Sequence, residues 1–247
     1  MITKLFGGRH KRNALAAGVR VYAIGDIHGR ADLLDDLLGK IRSDIADNPG
    51  ARPILVFLGD YIDRGEQSPL VIDRLLELAD SEMETVFLKG NHEVCLIRFL
   101  MDPVEHYSWL EWGGDETLRS YGLDRISARD PLDLAAALKN AMPARHLTFL
   151  QGLDVDFQSG DYYFVHAGLR PGVPLAEQSE HDKMWIRDEF HNTPENLRPD
   201  FTVVHGHQSS KKVIDKGWRV CVDTGAVWND TLTAVVIEGD KRRFLST

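Results

Sequence analysis

Six places along this chain set an aspartate, asparagine or histidine directly after a run of β-favouring apolar residues. They are Gly25-Asp26-Ile27-His28-Gly29, Gly59-Asp60-Tyr61-Ile62-Asp63-Arg64-Gly65, Gly90-Asn91-His92-Glu93, His166-Ala167-Gly168, His205-Gly206-His207 and Asp223-Thr224-Gly225. The side chains delivered, Asp26, His28, Asp60, Asn91, His166 and His207, are oxygen and imidazole donors with no thiolate among them. Such a set suits manganese, iron, zinc or a similar first-row ion, and does not suit a structural cysteine zinc site or a calcium cage. Six ligands are too many for one catalytic ion that keeps open positions. Shared between two ions about 3.5–4 Å apart, with one carboxylate bridging, they form the arrangement used for in-line attack on phosphorus. A lone aspartate after a strand is ordinarily a helix cap, and a lone histidine a satisfied polar group. Six in register make coincidence improbable.

These residues need a scaffold that brings strand ends together. Residues 19–24 are β-favouring and stop at Gly25, after which Leu33, Leu34, Leu37, Leu38, Ile41 and Ile45 recur at helical spacing. The pattern repeats with a strand at residues 53–58 and a helix at 68–79, then a strand at 84–88 and apolar residues at helical spacing from Val94 to Leu100. Three such units predict an α/β sheet with parallel strands. Ligands bind at the carboxyl ends of such strands, where successive loops converge on one crevice, and glycines let the backbone turn sharply there.

Residues 102–150 read as mostly helical, punctuated by Pro103, Gly113-Gly114, Pro131 and Pro143, which predicts an inserted helical cap. Its aromatic and basic residues, Tyr107, Trp109, Trp112, Arg119 and Tyr121, could line a substrate sleeve, although core packing is the commoner role for such aromatics. The last hundred residues are strand-rich, with runs at 154–157, 162–165, 201–204, 218–222 and 232–237. Each half of the chain is therefore expected to supply one sheet. The predicted architecture is a four-layer α-β-β-α sandwich of two mixed sheets with helices outside and the metal site at one end.

The 247 residues carry 29 Lys+Arg against 38 Asp+Glu, a net charge of −9, and are 43% hydrophobic. This is the balance of a globular protein with a sizeable core, and it argues against a nucleic-acid binder that works through a broad basic face. Two cysteines, Cys95 and Cys221, cannot build a disulfide framework, so a reducing, cytoplasmic setting is expected. No apolar run reaches the length of a membrane span. Residues 1–18 read as a basic tail without a signal-peptide core, and residues 19–247 as one catalytic domain.

The motifs GDIHG, GDYIDRG and GNHE, then HAG, GH and DTGA, resemble the phosphoprotein phosphatase family of binuclear metallophosphoesterases, particularly its bacterial and phage branch. The resemblance runs from about Val19 to Ile237. It implies that Asp26 and His28 bind one metal, that Asp60 bridges, and that Asn91, His166 and His207 bind the other. It further implies His92 as the acid, Asp63 as its partner, and Arg64 with Arg187 of Trp185-Ile186-Arg187 as phosphate contacts. These roles agree with the chemistry. A leaving alkoxide needs a proton, an aspartate can hold an imidazole in one tautomer, and an arginine fork matches two phosphate oxygens. His205 competes with His207, and His207 is preferred because the family ligand follows the glycine.

The expected function is a two-metal phosphatase, with manganese first and iron or zinc as alternatives, acting on phosphoserine or phosphothreonine in proteins, with phosphotyrosine also open. The rival is a symmetrical diadenosine tetraphosphate hydrolase or another nucleotide pyrophosphohydrolase. Asp63 and Glu93 tilt the choice toward the protein phosphatase, because the nucleotide enzymes typically lack those two residues. The expected partner is a phosphoprotein or small phosphorylated substrate, with no nucleic acid and no membrane.

Overall fold

A computed structural model describes residues 13–124, 126 and 130–247 of the chain. Alternation along the strands builds the layers. In β1 (Val19–Ile24), Val21 and Ala23 join one apolar core while Tyr22 and Ile24 join another, and all four are fully buried. In β5 (Tyr162–Val165), Tyr162 and Phe164 meet Val21 and Ala23 in the first of these cores, whereas Tyr163 and Val165 face a third. Strands buried on both faces must lie between other layers, so two sheets share a core and each has its own outer cover.

The first sheet has the order β10-β9-β1-β2-β3, with β2 (Arg52–Phe57) and β3 (Glu84–Phe87) parallel to β1. The second, with the order β4-β5-β6-β8-β7, comprises β4 (Asp156–Ser159), β5, β6 (Thr202–His205), β7 (Ile214–Asp215) and β8 (Arg219–Cys221). Within it β5, β6 and β8 run parallel, and β4 and β7 are antiparallel edges. The two mixed sheets with helices outside are the predicted sandwich.

The expectation that each half supplies one sheet fails at the carboxyl end. β9 (Thr233–Glu238) returns to the first sheet and pairs antiparallel with β1, with Val21 opposite Ile237. Its alternate residues explain this, since Val235 and Ile237 enter the core between the sheets while Ala234 and Val236 face the helices. β10 (Lys241–Ser246) then covers the free edge of β9. Its run of Lys241, Arg242 and Arg243 hides it as a strand in the sequence, and such charges protect a sheet edge from further pairing. The strand expected at 154–157 starts two residues later, because Asp154 is used in a parallel bridge to Leu88 that ties β4 to the end of β3.

Helices α1 (Ala31–Asp47), α2 (Ser68–Ala79) and α3 (Asn91–Met101) cover the first sheet. The helical spacing seen in the sequence is real, as α1 buries Leu34, Leu37, Leu38 and Ile41, each contributing roughly 1.5–3 kcal/mol. Residues 102–150 form a 3-10 turn at Tyr107–Trp112, α4 (Gly114–Ser120), α5 (Pro131–Ala141) and most of α6 (Ala144–Gln151), packed on the same side. α7 (Glu180–Trp185) and α8 (Asp188–His191) lie over the second sheet through Ile186 and Phe190. Of the basic segment 1–18, residues 1–12 lie outside the described residues, and in the rest Leu15 is buried and donates its N–H to Gly239 O. Both cysteines are buried and unpaired. Among the described residues no helix is long and apolar enough to cross a membrane.

Candidate active site

Each sheet contributes three mutually parallel strands, β1, β2 and β3 from the first and β5, β6 and β8 from the second, and the loop or helix start after each carries a polar side chain into one site. Asp26, His28, Asp60, Asn91, His92, His166, His207 and Asp223 are all buried. Buried polar groups at this density must find partners or charge to offset desolvation. Asp60 is central. Its Oδ2 lies 3.6 Å from His28 Nε2, 4.0 Å from His92 Nε2 and 3.4 Å from His166 Nε2. His166 Nε2 is in turn 3.0 Å from Asn91 Oδ1 and 3.2 Å from His207 Nδ1.

The loops are bent into place at a cost. Of the six described non-glycine residues with left-handed φ, five are His28, Asp60, Asp63, Arg64 and His207. Each such residue costs about 1–2 kcal/mol, so surrounding contacts must hold it there. Glu93 supplies many of them, accepting from the backbone N–H of Gly90, Asp60 and Tyr61. Two glycines permit the close approach: a Cβ on Gly90 would overlap the Asp60 side chain, and one on Gly206 would overlap Asp26.

Histidine tautomers are set by the same framework. His28 Nδ1 donates to Ile62 O at 2.9 Å and His166 Nδ1 to Leu58 O at 2.8 Å, which turns both Nε2 atoms toward Asp60 and its neighbours. Two groups of donor atoms converge within 4.8 Å, His28-Asp60-His92 and Asp60-His166-His207, and Asp60 belongs to both. Asp26 does not fall in either triad. Both its carboxylate oxygens accept the His207 N–H at 3.1 Å, which places it beside the second group. Burial and the adjacent Asp223 push the Asp26 carboxyl well above its ordinary range, while burial raises Asp223 to about 6. Buried carboxylates pressed together in this way, with imidazole nitrogens turned toward them, fit a pair of divalent cations.

His92 stands apart from the other imidazoles. Its Nδ1 donates to Asp63 Oδ2 at 2.7 Å, and Asp63 also accepts from Trp109 Nε1 at 2.7 Å and Thr117 Oγ1 at 2.6 Å. Burial disfavours the imidazolium, but Asp60 and the Asp63 hydrogen bond outweigh it and raise the pKa of His92. Arg64 reaches His28 Nε2 at 2.7 Å and His92 Nε2 at 2.9 Å, and Arg187 donates to His207 Nε2 at 3.1 Å. Arg64 and Arg187 line one cleft of about 710 Å³ with Asn91, His92, His207 and Asp223. The structure thus brings together every site residue expected from the sequence.

That arrangement, two sheets converging on an Asp60-centred donor cluster, matches a family. The sequence profile of the calcineurin-like phosphoesterases covers residues 19–234. The chain is a calcineurin-like phosphoesterase. It is a hydrolase of phosphoester bonds in a family that depends on divalent metals. The asymmetrical bis(5'-nucleosyl)-tetraphosphatase PrpE of Anoxybacillus flavithermus is 28% identical over 230 residues, spanning 86% of this chain and 88% of its own. A solved structure of a candidate diadenosine tetraphosphatase has a TM-score of 0.65 at 22% identity, covering 94% of this chain and 98% of its own. A protein serine/threonine phosphatase from Saccharomyces cerevisiae has 0.58 at 15% identity, covering 93% of this chain and 79% of its own. Nucleotide and protein phosphatases share this calcineurin-like architecture, so the fold does not choose between them.

The two residues that tilted the sequence reading toward proteins do not choose either. Glu93 ties the loops together through backbone N–H groups, and Asp63 orients His92. The first role is independent of the leaving group, and the second serves both reactions, with more weight on an alkoxide than on a departing phosphate. Sequence reasoning gave no role to three residues of this phosphoesterase site. Asp223 sits after β8 as Asp60 does after β2, a positional signal the sequence did contain. Trp109 and Thr117 belong to the cap and carry no local signal, since only tertiary packing brings them to Asp63.

Proposed function

We propose that this phosphoesterase hydrolyses dinucleoside polyphosphates, cutting a phosphoanhydride bond within the phosphate chain. The observation that carries the reading is the nature of the curated relatives, bis(5'-nucleosyl)-tetraphosphatases aligned over most of both chains. Asp26, His28, Asp60, Asn91, His166 and His207 would hold two divalent cations, manganese first and iron or zinc as alternatives. Bound there, the cations supply positive charge to the phosphoryl oxygens and acidify a water for in-line attack.

The chain's own groups do the rest. Arg64 and Arg187 present guanidinium forks to the phosphoryl oxygens, whose charge grows toward the transition state. His92, held by Asp63 through Nδ1, gives the proton on Nε2 to the departing oxygen. Trp109 and Thr117 keep Asp63 aimed at His92, so the cap takes part in positioning the acid.

A second reading, monoester hydrolysis on a basic phosphopeptide, is favoured by Glu111, Asp115 and Glu116 on the cleft wall, although Asp115 and Glu116 are paired with Arg119. Metal-reconstituted protein should be offered diadenosine tetraphosphate and phosphoserine, phosphothreonine and phosphotyrosine peptides side by side. The expected result is a kcat/KM on the dinucleotide at least about tenfold above any peptide, a difference of about 1.4 kcal/mol in transition-state binding. A peptide preferred by that margin overturns the nucleotide reading.

A further inference from the structure

Of the five tryptophans, Trp109 is buried, Trp185 and Trp218 are half-buried, and Trp112 and Trp228 are 48% and 66% exposed. Both exposed rings line the cleft that holds the candidate metal ligands and the two arginines. Leaving an indole in water forfeits the apolar burial that such a large side chain otherwise contributes, so two of them lining one cleft call for a contact made in the bound state.

They come from unrelated parts of the fold. Trp112 ends the 3-10 turn of the cap, and Trp228 lies on α9 (Ala226–Asn229), after β8 of the second sheet. Each stands on a rigid base. The turn beneath Trp112 is held by buried Trp109, packed against Phe99 with ring centroids 5.0 Å apart, and the next residue, Gly113, accepts the Arg64 N–H at 3.0 Å. Beneath Trp228, its own N–H and that of Asn229 donate to Gly225 O at 2.9 and 2.7 Å, Asn229 Nδ2 donates to Thr224 O at 2.9 Å, and Arg30 donates to Ala226 O at 2.9 Å. With the backbone beneath each ring held in advance, only side-chain freedom remains to be lost on stacking a flat ligand.

We propose that Trp112 and Trp228 are stacking platforms for the nucleobases at the two ends of a dinucleoside polyphosphate whose phosphates are gripped by Arg64 and Arg187. This rests on the nucleotide reading and adds to it where the bases sit. Gln208, Ser209, Glu111 and Glu116 line the same cleft and offer unlike hydrogen-bonding edges, amide and hydroxyl against carboxylate, so the surroundings of a base need not be alike at the two platforms. A ligand with a base at each end could then be held unsymmetrically.

The test separates base from phosphate. Intrinsic fluorescence of the metal-loaded protein is titrated with a methylene-bridged diadenosine tetraphosphate that resists cleavage, and with inorganic tripolyphosphate. The dinucleotide should quench tryptophan emission and the base-free chain should not. In Trp112→Ala and Trp228→Ala the affinity for the analogue, and the ratio of kcat/KM on diadenosine tetraphosphate to that on tripolyphosphate, should each fall about tenfold, the scale of one base–aromatic stack. Trp112→Phe and Trp228→Phe should recover most of the affinity while losing part of the quench. Unchanged affinity and ratio in both alanine variants would overturn the platforms and leave the nucleotide reading standing. Quenching that depends on the two tryptophans, in a protein that turns over only phosphopeptides, would keep the platforms as a nucleotide site and overturn the reaction.

Discussion

Two clusters of histidines lie in this molecule, and they have opposite electrostatics. His28, His92, His166 and His207 gather around Asp60, with Asp26, Asp63 and Asp223 close by. His191 and His205 stack at 5.6 Å beside Phe190, and the charge that acts most on both is Arg219, whose Nη1 lies 3.4 Å from His205 Nε2, with Asp188 and Arg187 acting less strongly on His191. The first cluster is rich in buried negative charge and invites cations. The second offers positive charge, and neither ring nitrogen of His191 nor Arg219 Nε has a partner among the described residues. Burial and then Arg219 hold both imidazoles neutral, His205 well below its ordinary range and His191 at about 4. What surrounds an imidazole, rather than its presence near a strand end, decides whether it can hold a metal. His207 belongs to the first cluster and His205, the last residue of β6 two positions earlier, to the second.

The largest effect should come from removing the charge at the centre of the first cluster. Asp60→Asn is expected to lose metal from both positions by elemental analysis and to cut turnover by about 10³, equivalent to ~4 kcal/mol. His207→Ala should also lose metal, whereas His205→Asn should keep it and lower the melting temperature instead. Full occupancy in Asp60→Asn would break the contrast between the clusters.

His92→Asn should keep the metals and cost roughly 10²–10⁴ in turnover on an alkyl phosphate monoester, the usual worth of a general acid. On diadenosine tetraphosphate the loss should be smaller, because a departing phosphate, with a second pKa near 6, needs little protonation at neutral pH. Equal losses on the two substrates would show that His92 does something other than donate that proton.

Trp109→Phe tests the support behind the acid. It removes the indole N–H from Asp63 while keeping an aromatic ring against Phe99, and about a tenfold fall in kcat with little change in KM is expected. The fall should be absent in the His92→Asn background, since Trp109 acts only through that residue.

The smallest effect belongs to the second cluster and concerns stability. His191 is held neutral at about 4 against an ordinary 6.5, so between those values the unfolded chain binds more protons than the folded one. Stability should therefore fall as pH drops from about 6.5 to 4, and be insensitive to this group above that window. His191→Phe should flatten that part of a melting-temperature profile, and an unchanged slope would assign the acid sensitivity elsewhere.

Much of this was legible in the sequence for a physical reason. Parallel strands end at one edge of a sheet, so a polar residue after each apolar run is already directed toward a common place, and Asp26, His28, Asp60, Asn91, His166 and His207 could be named from position and residue type alone. Continuous β-favouring runs and a 3.6-residue apolar period likewise identified β1, β2, β5, α1 and α2, because burial of a strand or a helix face leaves a local trace. Three things left no such trace. The return of β9 to the first sheet depends on pairing across the whole chain. The docking of Trp109 and Thr117 on Asp63 depends on how the cap packs. The sequence also treated the cap aromatics alike, as core packing, yet Trp109 went inside to hold Asp63 and Trp112 stayed on the cleft. Residue type sets what a side chain is able to do, but its neighbours in space, which the chain alone does not order, decide whether an indole becomes core, support or surface.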